Sequence, residues 1–282
     1  MKIGIAFAGG GLKGIAYIGA IKALEELGIE PEFISGTSSG SLFAASYAMG
    51  FSSSELKELS HEYYKTLTKM DKKPIAKAIV TYMTSGTAKI EGLIKGEKIS
   101  DLIQEVAEKK NLKNMNELNK NLAICTVDTI STNECIFLSK ECKEKIDNVD
   151  YIYDAPIATA TRASMSFPAV FTPCNYEKYN FIDGGTTDNY PTKILKKMGA
   201  EKVIGLHFRL DDYTPKEDIF AVLLRAVDIF SLGDVRAAEQ YADLSIEIDA
   251  NGTGLLVIDD FDKLIETGYN AIMDNKDKIL NL

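Results

Sequence analysis

An apolar, strand-like run that ends in a glycine-rich turn and leads into a helical pattern occurs twice near the amino terminus. The first copy is "KIGIAFAGGGLKG" (residues 2–14) and the second is "EFISGTSSGSLFAAS" (residues 32–46). Strands that alternate with helices lie parallel in one sheet, because each helix returns the chain to the edge at which the strand began. The pattern therefore predicts an α/β fold with a mainly parallel central sheet flanked by helices on both faces.

The rest of the chain continues this alternation after one long helical stretch. Residues 53–110 have a helical pattern, interrupted at Pro74, and are expected to form an insertion after the helix that follows the second turn. Further strands are predicted at residues 121–128, 134–139, 179–183, 202–208 and 244–249. No repeat, low-complexity segment or linker divides the 282 residues, so a single domain over residues 1–282 is expected.

Charge and residue content limit the class of protein. With 32 Lys and Arg residues against 41 Asp and Glu residues, the net charge is −9, which argues against a nucleic-acid binder. Four cysteines without C-x-x-C spacing and two histidines predict no metal site. No apolar stretch approaches the roughly 20 residues that cross a bilayer, and the first apolar run is too short for a signal peptide. A cytoplasmic protein is expected.

The second turn has the form G-x-S-x-G. Glycines at positions 36 and 40 let the chain bend sharply between strand and helix, which leaves the hydroxyl of Ser38 exposed at the carboxyl end of the strand. A nucleophile is displayed in this way, although the same spacing also occurs in plain turns. A serine hydroxyl becomes a good nucleophile only when a neighbouring base takes its proton. The chain therefore needs a base near Ser38.

The first turn has two interpretations. Gly9, Gly11 and Gly14 satisfy G-x-G-x-x-G after a strand, the fingerprint of a dinucleotide site. Such a site also needs an acidic residue at the end of the second strand, and that strand here runs into the Ser38 turn. Alternatively, the backbone N–H groups of the loop form an oxyanion hole, to which Lys13 adds positive charge.

A third glycine-rich turn supplies a carboxylate. In "FIDGGTTDNYP" (residues 181–191), Asp183 ends a predicted strand and precedes Gly184 and Gly185. A carboxylate with the reference pKa of about 3.9 is a feeble base, but burial beside an apolar site raises its pKa. Asp-Gly-Gly alone is an ordinary turn. Together with the other two turns it offers a base for Ser38.

The two histidines are weaker candidates for that base. His61 lies on a predicted helix of the insertion among polar residues, where a solvated side chain is expected. His207 ends the strand at residues 202–208 and can face the same sheet edge as Ser38.

The three motifs in this order resemble those of the patatin-like phospholipases. The elements "GGGLKG", "GTSSG" and "DGG" match the family pattern, and "ATATRASMSFPAVFTP" (residues 158–173) is similar to the family's segment upstream of its aspartate. The resemblance implies a Ser–Asp dyad without histidine, in which Ser38 is the nucleophile and Asp183 the general base. It also implies an oxyanion loop and two supporting turns. These comprise Gly9, Gly10, Gly11, Lys13 and Gly14 in the loop, Gly36, Thr37, Ser39 and Gly40 in the elbow, and Gly184 and Gly185 in the aspartate turn.

The resemblance predicts a serine acyl hydrolase that cleaves carboxylic esters of lipids, as phospholipases and lysophospholipases do, through an acyl-enzyme. Its partner is a lipid ester, and neither a metal nor an organic cofactor is required. Two other functions stay open: a dinucleotide-binding α/β domain, and a lipid-binding protein on the same fold without turnover. The sequence does not indicate the oligomeric state.

Residues 65–98 differ in charge from the rest of the chain. They contain eight lysines and three acidic residues, a net charge of +5 that leaves −14 elsewhere. Apolar residues at positions 75, 79, 80, 82 and 83 are interleaved with the lysines. The segment is typical either of a basic amphipathic surface at an anionic membrane or of a solvated helix face that packs on the core.

Reversal of Lys69, Lys72, Lys73 and Lys77 to glutamate tests the membrane interpretation. Each basic residue near an anionic surface contributes about 1 kcal/mol to binding, so the fourfold variant is expected to bind anionic vesicles much less than the wild type in a sedimentation assay. Hydrolysis of a soluble short-chain ester is the control and is expected to stay unchanged. Equal vesicle binding at low salt would leave the segment a solvated helix face.

Overall fold

A computed structural model of the protein describes residues 1–69, 96–168, 170–212, 215, 219–251, 253 and 260–282. The strands are β1 (Ile3–Phe7), β2 (Phe33–Thr37), β3 (Asn121–Asp128), β4 (Glu134–Leu138), β5 (Val149–Ile152), β6 (Cys174–Tyr176), β7 (Tyr179–Asp183), β8 (Lys202–Phe208) and β9 (Leu244–Ile248). The helices are α1 (Ala16–Glu26), α2 (Ser39–Ala48), α3 (Ser53–Lys69), α4 (Glu97–Lys109), α5 (Ile157–Ser164), α6 (Thr192–Met198), α7 (Ile219–Ala238), α8 (Phe261–Met273) and α9 (Lys276–Leu280).

Most of the basic segment at residues 65–98 lies outside the described residues, as does the central part of the predicted insertion. The flanks of the insertion are described, and they are the helices α3 and α4. None of the helices in the described ranges is both long enough and apolar enough to cross a membrane.

The central sheet has the strand order β5-β4-β3-β2-β1-β8-β9. Five neighbouring strands are parallel to one another, namely β3, β2, β1, β8 and β9. Strand β4 pairs antiparallel with β3, and β5 pairs parallel with β4. The hairpin of β6 and β7 joins the sheet through an antiparallel pairing of β7 with β3. The prediction of a mainly parallel sheet flanked by helices is confirmed.

One edge of β3 brings two distant parts of the chain together. One edge of β3 pairs with β4 over Ala123–Val127. The opposite edge of β3 pairs with both β2 and β7. There β2 ends with Thr37 opposite Cys125, and β7 ends with Asp183 opposite Thr126. The two strands run toward each other and end at neighbouring positions. Asp183 therefore reaches the end of β2 from an antiparallel strand, and not from a further parallel strand of the sheet.

The inner strands β1, β2, β3 and β8 are buried on both faces, as their nearly unbroken apolar runs require. On one face Ile5, Ile34 and Leu206 pack with α1 and α2 into the large hydrophobic core. On the other face Ala6 and Val203 pack against Leu195 of α6. The alternation of neighbouring residues between the two cores follows from the two-residue period of a strand.

The carboxyl-terminal part of the chain, for which the sequence motifs suggested no role, completes the large core. Helix α8 packs against α1 at a crossing made by two glycines, Gly19 and Gly268. A Cβ on Gly268 would collide with the Ala16 carbonyl group, and one on Gly19 would collide with the Ile265 carbonyl oxygen. The absence of a side chain at both positions lets the two backbones touch.

Replacement of Gly268 by alanine is expected to destabilise the protein by about 1–3 kcal/mol, because the new methyl group forces α1 and α8 apart. The matched control is Gly233→Ala in α7, where a Cβ meets no atom within 4 Å. That variant is expected to gain roughly 0.5–1 kcal/mol from helix propensity. Urea denaturation of both variants measures the two effects, and the same sign for both would contradict the close-packing explanation.

Candidate active site

Ser38 occupies a strained turn between β2 and α2. Its backbone has φ 53° and ψ −127°, a conformation that residues other than glycine seldom adopt. The flanking glycines allow the turn to be this tight. A Cβ on Gly36 would collide with the carbonyl group of Gly40, and a Cβ on Gly40 would collide with the carbonyl oxygens of Phe7 and Ala8. The turn therefore presses against the end of β1 and leaves the Ser38 side chain only partly buried.

The hydroxyl of Ser38 donates a hydrogen bond to a carboxylate. The Oγ atom lies 2.6 Å from Oδ2 of Asp183. The other oxygen of Asp183, Oδ1, accepts a 2.8 Å hydrogen bond from the Gly185 N–H, which fixes the orientation of the carboxyl group. The structure thus brings together the predicted nucleophile and the predicted base.

The environment of Asp183 makes it a stronger base than a free aspartate. Its side chain is 1% exposed. Burial raises its pKa to about 6, although the hydrogen bonds from Ser38 and Gly185 act in the opposite direction. Since a carboxylate in water has a pKa of about 3.9, the group binds a proton roughly 100 times more tightly than it does in water. At neutral pH it is still ionised and can accept a proton.

The amides of the first glycine-rich loop differ in their partners. The Gly9 N–H donates to the carbonyl oxygen of Asn189 at 3.2 Å, and the Gly10 N–H donates to Oγ of Ser39 at 3.2 Å. Within the described part of the chain, the Gly11 N–H has no acceptor. Gly11 opens a short 3-10 helix, whose first amides are free because no helical turn precedes them. The loop therefore presents the Gly11 N–H as a free donor, and both Gly11 and Ser38 line the same cavity.

Lys13 and Gly14 lie in the same short helix and have different surroundings. The Nζ atom of Lys13 is 2.8 Å from Oδ2 of Asp211, so its charge is paired at the rim of the site. Gly14 is buried, where a side chain would press on Phe43 and Ser39. Of the predicted loop residues, Gly14 therefore has a packing role and Lys13 an electrostatic one.

A cavity of about 350 Å³ opens next to the Ser38–Asp183 pair. One wall consists of Met165, Phe167 and Phe171, which follow α5. Another wall consists of apolar side chains of α7, among them Val227 and Val235. The sequence motifs did not identify the residues of these walls as cavity residues. In the sequence, residues 165–171 and 219–238 are marked only by their apolar character, which is equally typical of a hydrophobic core.

The histidines occupy different places. His207 lines the cavity, but its ring packs edge-on against Tyr190 with centroids 5.3 Å apart, and burial lowers its pKa. Among the described contacts, Ser38 Oγ shares a hydrogen bond with Asp183 and none with His207. His61 is exposed and stacks on Phe261 at 4.1 Å.

One group of side chains in the described residues has the composition of a possible metal site. Ligand atoms of Cys125, Glu134 and Asp188 lie within 4.8 Å of one another. Burial raises the pKa of the Cys125 thiol, and burial together with the neighbouring Asp188 raises the pKa of the Glu134 carboxyl. These shifts favour the protonated groups as long as no cation is bound, and a cation would have to displace those protons in order to bind.

Comparison with known proteins agrees with the geometry. Residues 5–196 match the family described as Patatin-like phospholipase. The chain belongs to the patatin-like phospholipase family. Membership places this patatin-like protein among lipid hydrolases, and the three glycine-rich turns all lie within the matched residues.

Two curated relatives differ in how much of their length is matched. The uncharacterized protein YqhO of Bacillus subtilis is 29% identical over 210 residues, which cover 73% of this chain and 71% of that protein. Patatin-like phospholipase domain-containing protein 6 of Mus musculus is 27% identical over 214 residues, which cover 75% of this chain but 14% of the mouse protein. The chain thus corresponds to one part of a much longer mouse protein.

A solved structure shows the same fold. The crystal structure of VipD from Legionella pneumophila superposes with a TM-score of 0.52 at 16% identity, and the match covers 98% of this chain and 67% of VipD. The likeness supports the α/β architecture of the patatin-like protein.

The raised pKa of Asp183 predicts how stability depends on pH. The folded state holds the proton more tightly than the unfolded state, so ionisation destabilises the fold as pH rises from about 4 to above 6. The cost is roughly 3 kcal/mol, from 1.36 kcal/mol for each pKa unit. Asp183→Asn removes this cost. Its stability relative to the wild type is expected to rise between pH 4 and pH 7 in urea denaturation.

Asp128→Asn is the matched control, because Asp128 is also buried but its pKa is shifted in the opposite direction. Burial raises its pKa, but hydrogen bonds from Asn180 and Ser131 outweigh that effect and leave the pKa below its ordinary value. Asp128 is ionised in both the folded and the unfolded state above its ordinary pKa of about 3.9, so its effect on stability changes below pH 4. Asp128→Asn is therefore expected to show no comparable rise in relative stability between pH 4 and pH 7. If the difference in stability between Asp183→Asn and the wild type did not change with pH, the burial argument would be contradicted.

Proposed function

We propose that this protein is a serine acyl hydrolase that cleaves carboxylic esters of phospholipid-like or lysophospholipid-like lipids through a Ser38–Asp183 dyad. The observation that carries the proposal is the 2.6 Å hydrogen bond from the strained Ser38 to a buried carboxylate at the end of an apolar cavity. Strain and a buried charge both cost stability, and such features concentrate at functional sites.

In the first step the Ser38 Oγ attacks the carbonyl carbon of the ester while its proton passes to Oδ2 of Asp183. The carbonyl oxygen becomes an oxyanion, which the free Gly11 N–H stabilises. The Gly10 N–H joins it by giving up its bond to Ser39 Oγ. Collapse of the intermediate breaks the ester bond, and the departing alcohol takes the proton from Asp183. The acyl group is then bound to Ser38.

In the second step a water molecule attacks the acyl-enzyme. Asp183 takes one proton from the water, and the tetrahedral intermediate forms a second time at the same donors. Its collapse releases the fatty acid and returns the proton to Ser38 Oγ. The cycle consumes one water and needs neither a metal nor an organic cofactor.

The walls of the cavity support a lipid substrate. The apolar side chains of residues 165–171 and of α7 offer an acyl chain a surface away from water. On the outside of α7, Val222, Ile229 and Phe230 are exposed apolar residues, which supports contact with a membrane surface.

We infer a cytoplasmic enzyme of one hydrolase domain, residues 1–282. We propose that residues 53–110 are an insertion in this domain that serves as a lid or as a lipid-facing segment.

Three single substitutions test the dyad. Ser38→Ala and Asp183→Asn are each expected to lower kcat on a soluble ester at least about a thousandfold, because one removes the nucleophile and the other cannot accept its proton. His207→Ala, which alters the same cavity, is the control and is expected to keep most activity. A fluorophosphonate is expected to label the wild type and not Ser38→Ala, as mass spectrometry of the intact protein would show.

The pH profile offers an independent measurement. Because Asp183 must be ionised to accept a proton, kcat/KM is expected to decrease as the pH falls below an apparent pKa of about 6.

An inactive His207→Ala variant would indicate a triad. Absence of labelling in a protein that binds lipid would favour the non-catalytic alternative, and tight dinucleotide binding in calorimetry would favour the dinucleotide domain.

A further inference from the structure

The strained backbone of Ser38 is held by a side chain from a distant helix. The Ser38 N–H donates a 2.9 Å hydrogen bond to Oγ of Ser164, the last residue of α5. The same Oγ donates a 2.7 Å hydrogen bond to the carbonyl oxygen of Cys125 on β3. Ser164 is 0% exposed, so water cannot replace either bond. One hydroxyl thus connects the elbow amide to the strand on which both β2 and β7 end.

The residues just after Ser164 hold the other member of the dyad. The Asp183 N–H donates to the carbonyl oxygen of Ser166 at 3.1 Å. The Ser166 hydroxyl is itself held by Arg162, whose Nη1 lies 2.5 Å from it. The end of α5 and the following residues therefore contact the backbone of both Ser38 and Asp183.

The Cys125 carbonyl is a shared anchor for both turns. Besides accepting from Ser164, it lies so close to Gly184 that a Cβ on that glycine would collide with it. Any shift of the Ser164 hydroxyl therefore acts on the elbow directly and on the aspartate turn through this carbonyl.

Only a residue that accepts and donates through one atom can make both bonds. An alanine at position 164 would leave the Ser38 N–H buried without an acceptor, and a buried unpaired amide favours any movement that lets it find a partner. The nearest freedom is in the Ser38 backbone, whose positive φ is strained already. Relaxation there would move Oγ away from Asp183.

We propose that Ser164 is a positioning residue, which holds the Ser38 backbone in the conformation that places Oγ against Asp183. The inference rests on the proposed hydrolase function. Ser164 is not among the described residues that line the cavity.

The test compares Ser164→Ala with the wild type on a soluble short-chain ester. The expected result is a roughly 10- to 100-fold lower kcat with KM changed less than about threefold, because misplacement of the nucleophile slows the chemical step. The second-order rate of labelling by a fluorophosphonate is expected to fall by a similar factor. Ser164→Cys keeps a weaker acceptor and donor at the same place, and an intermediate rate is expected.

Ser139→Ala is the matched control for loss of a buried serine bridge. Ser139 is 4% exposed, accepts from the Leu122 N–H at 2.7 Å and donates to the Lys120 carbonyl oxygen at 2.9 Å. It makes the same two kinds of bond as Ser164, but away from the cavity. Its variant is expected to lower the urea midpoint as Ser164→Ala does and to keep wild-type kcat.

Equal kcat for Ser164→Ala, Ser139→Ala and the wild type would overturn the inference and leave Ser164 a structural residue. If Ser164→Ala does not fold, Ser164→Cys decides the matter: wild-type kcat and labelling rate would overturn the inference. Failure of the proposed function is distinct, since the wild type itself would then neither hydrolyse the ester nor react with the fluorophosphonate.

Discussion

The geometry of the site depends on the pairing register along one edge of β3. Because β2 ends opposite Cys125 and β7 ends opposite Thr126, Ser38 and Asp183 are adjacent although 145 positions separate them in sequence. A slip of β7 by one residue would turn its side chains to the opposite face of the sheet. The Asp183 carboxylate would then point away from Ser38. The buried pairing of β3 on both edges is thus the constraint that holds the two groups together.

Two unfavourable features are stabilised by this arrangement. Ser38 has a backbone conformation that is rare outside glycine, and Asp183 carries a charge where burial disfavours it. The large hydrophobic core beneath β1 and β2 supplies the stability that offsets both costs. In that core the Tyr17 hydroxyl donates to the Ala8 carbonyl oxygen at 2.7 Å, and the Tyr17 ring packs against Phe208. The glycine-rich loop next to Ala8 is therefore anchored from below.

The sequence was sufficient to predict what depends on local geometry. Glycines at fixed spacing around Ser38 and after Asp183 identify turns, and the alternation of strands with helices identifies the sheet. The sequence was not sufficient to predict features that depend on pairing between residues far apart in the chain. Nothing in residues 179–183 reveals that β7 is antiparallel, and Ser164 bonds to an amide 126 positions away. The apolar residues of α7 look like core residues until the cavity is seen. The strands β5 and β6 have only four and three residues, which is too short for a strand pattern to be recognised.

In the proposed dyad, the serine would be activated without histidine. A histidine base has a reference pKa of about 6.5, and burial brings the Asp183 carboxylate to about 6, so the two groups have similar strength as bases. In a triad the third residue orients the imidazole ring. A carboxylate whose Oδ1 accepts from the Gly185 N–H is oriented by its own turn. His207 is held against Tyr190 and its pKa is lowered by burial, and among the described contacts it makes no hydrogen bond with Ser38 Oγ. In the proposed mechanism, one carboxylate therefore serves as the general base because of its position, and burial raises its pKa without the help of a second residue.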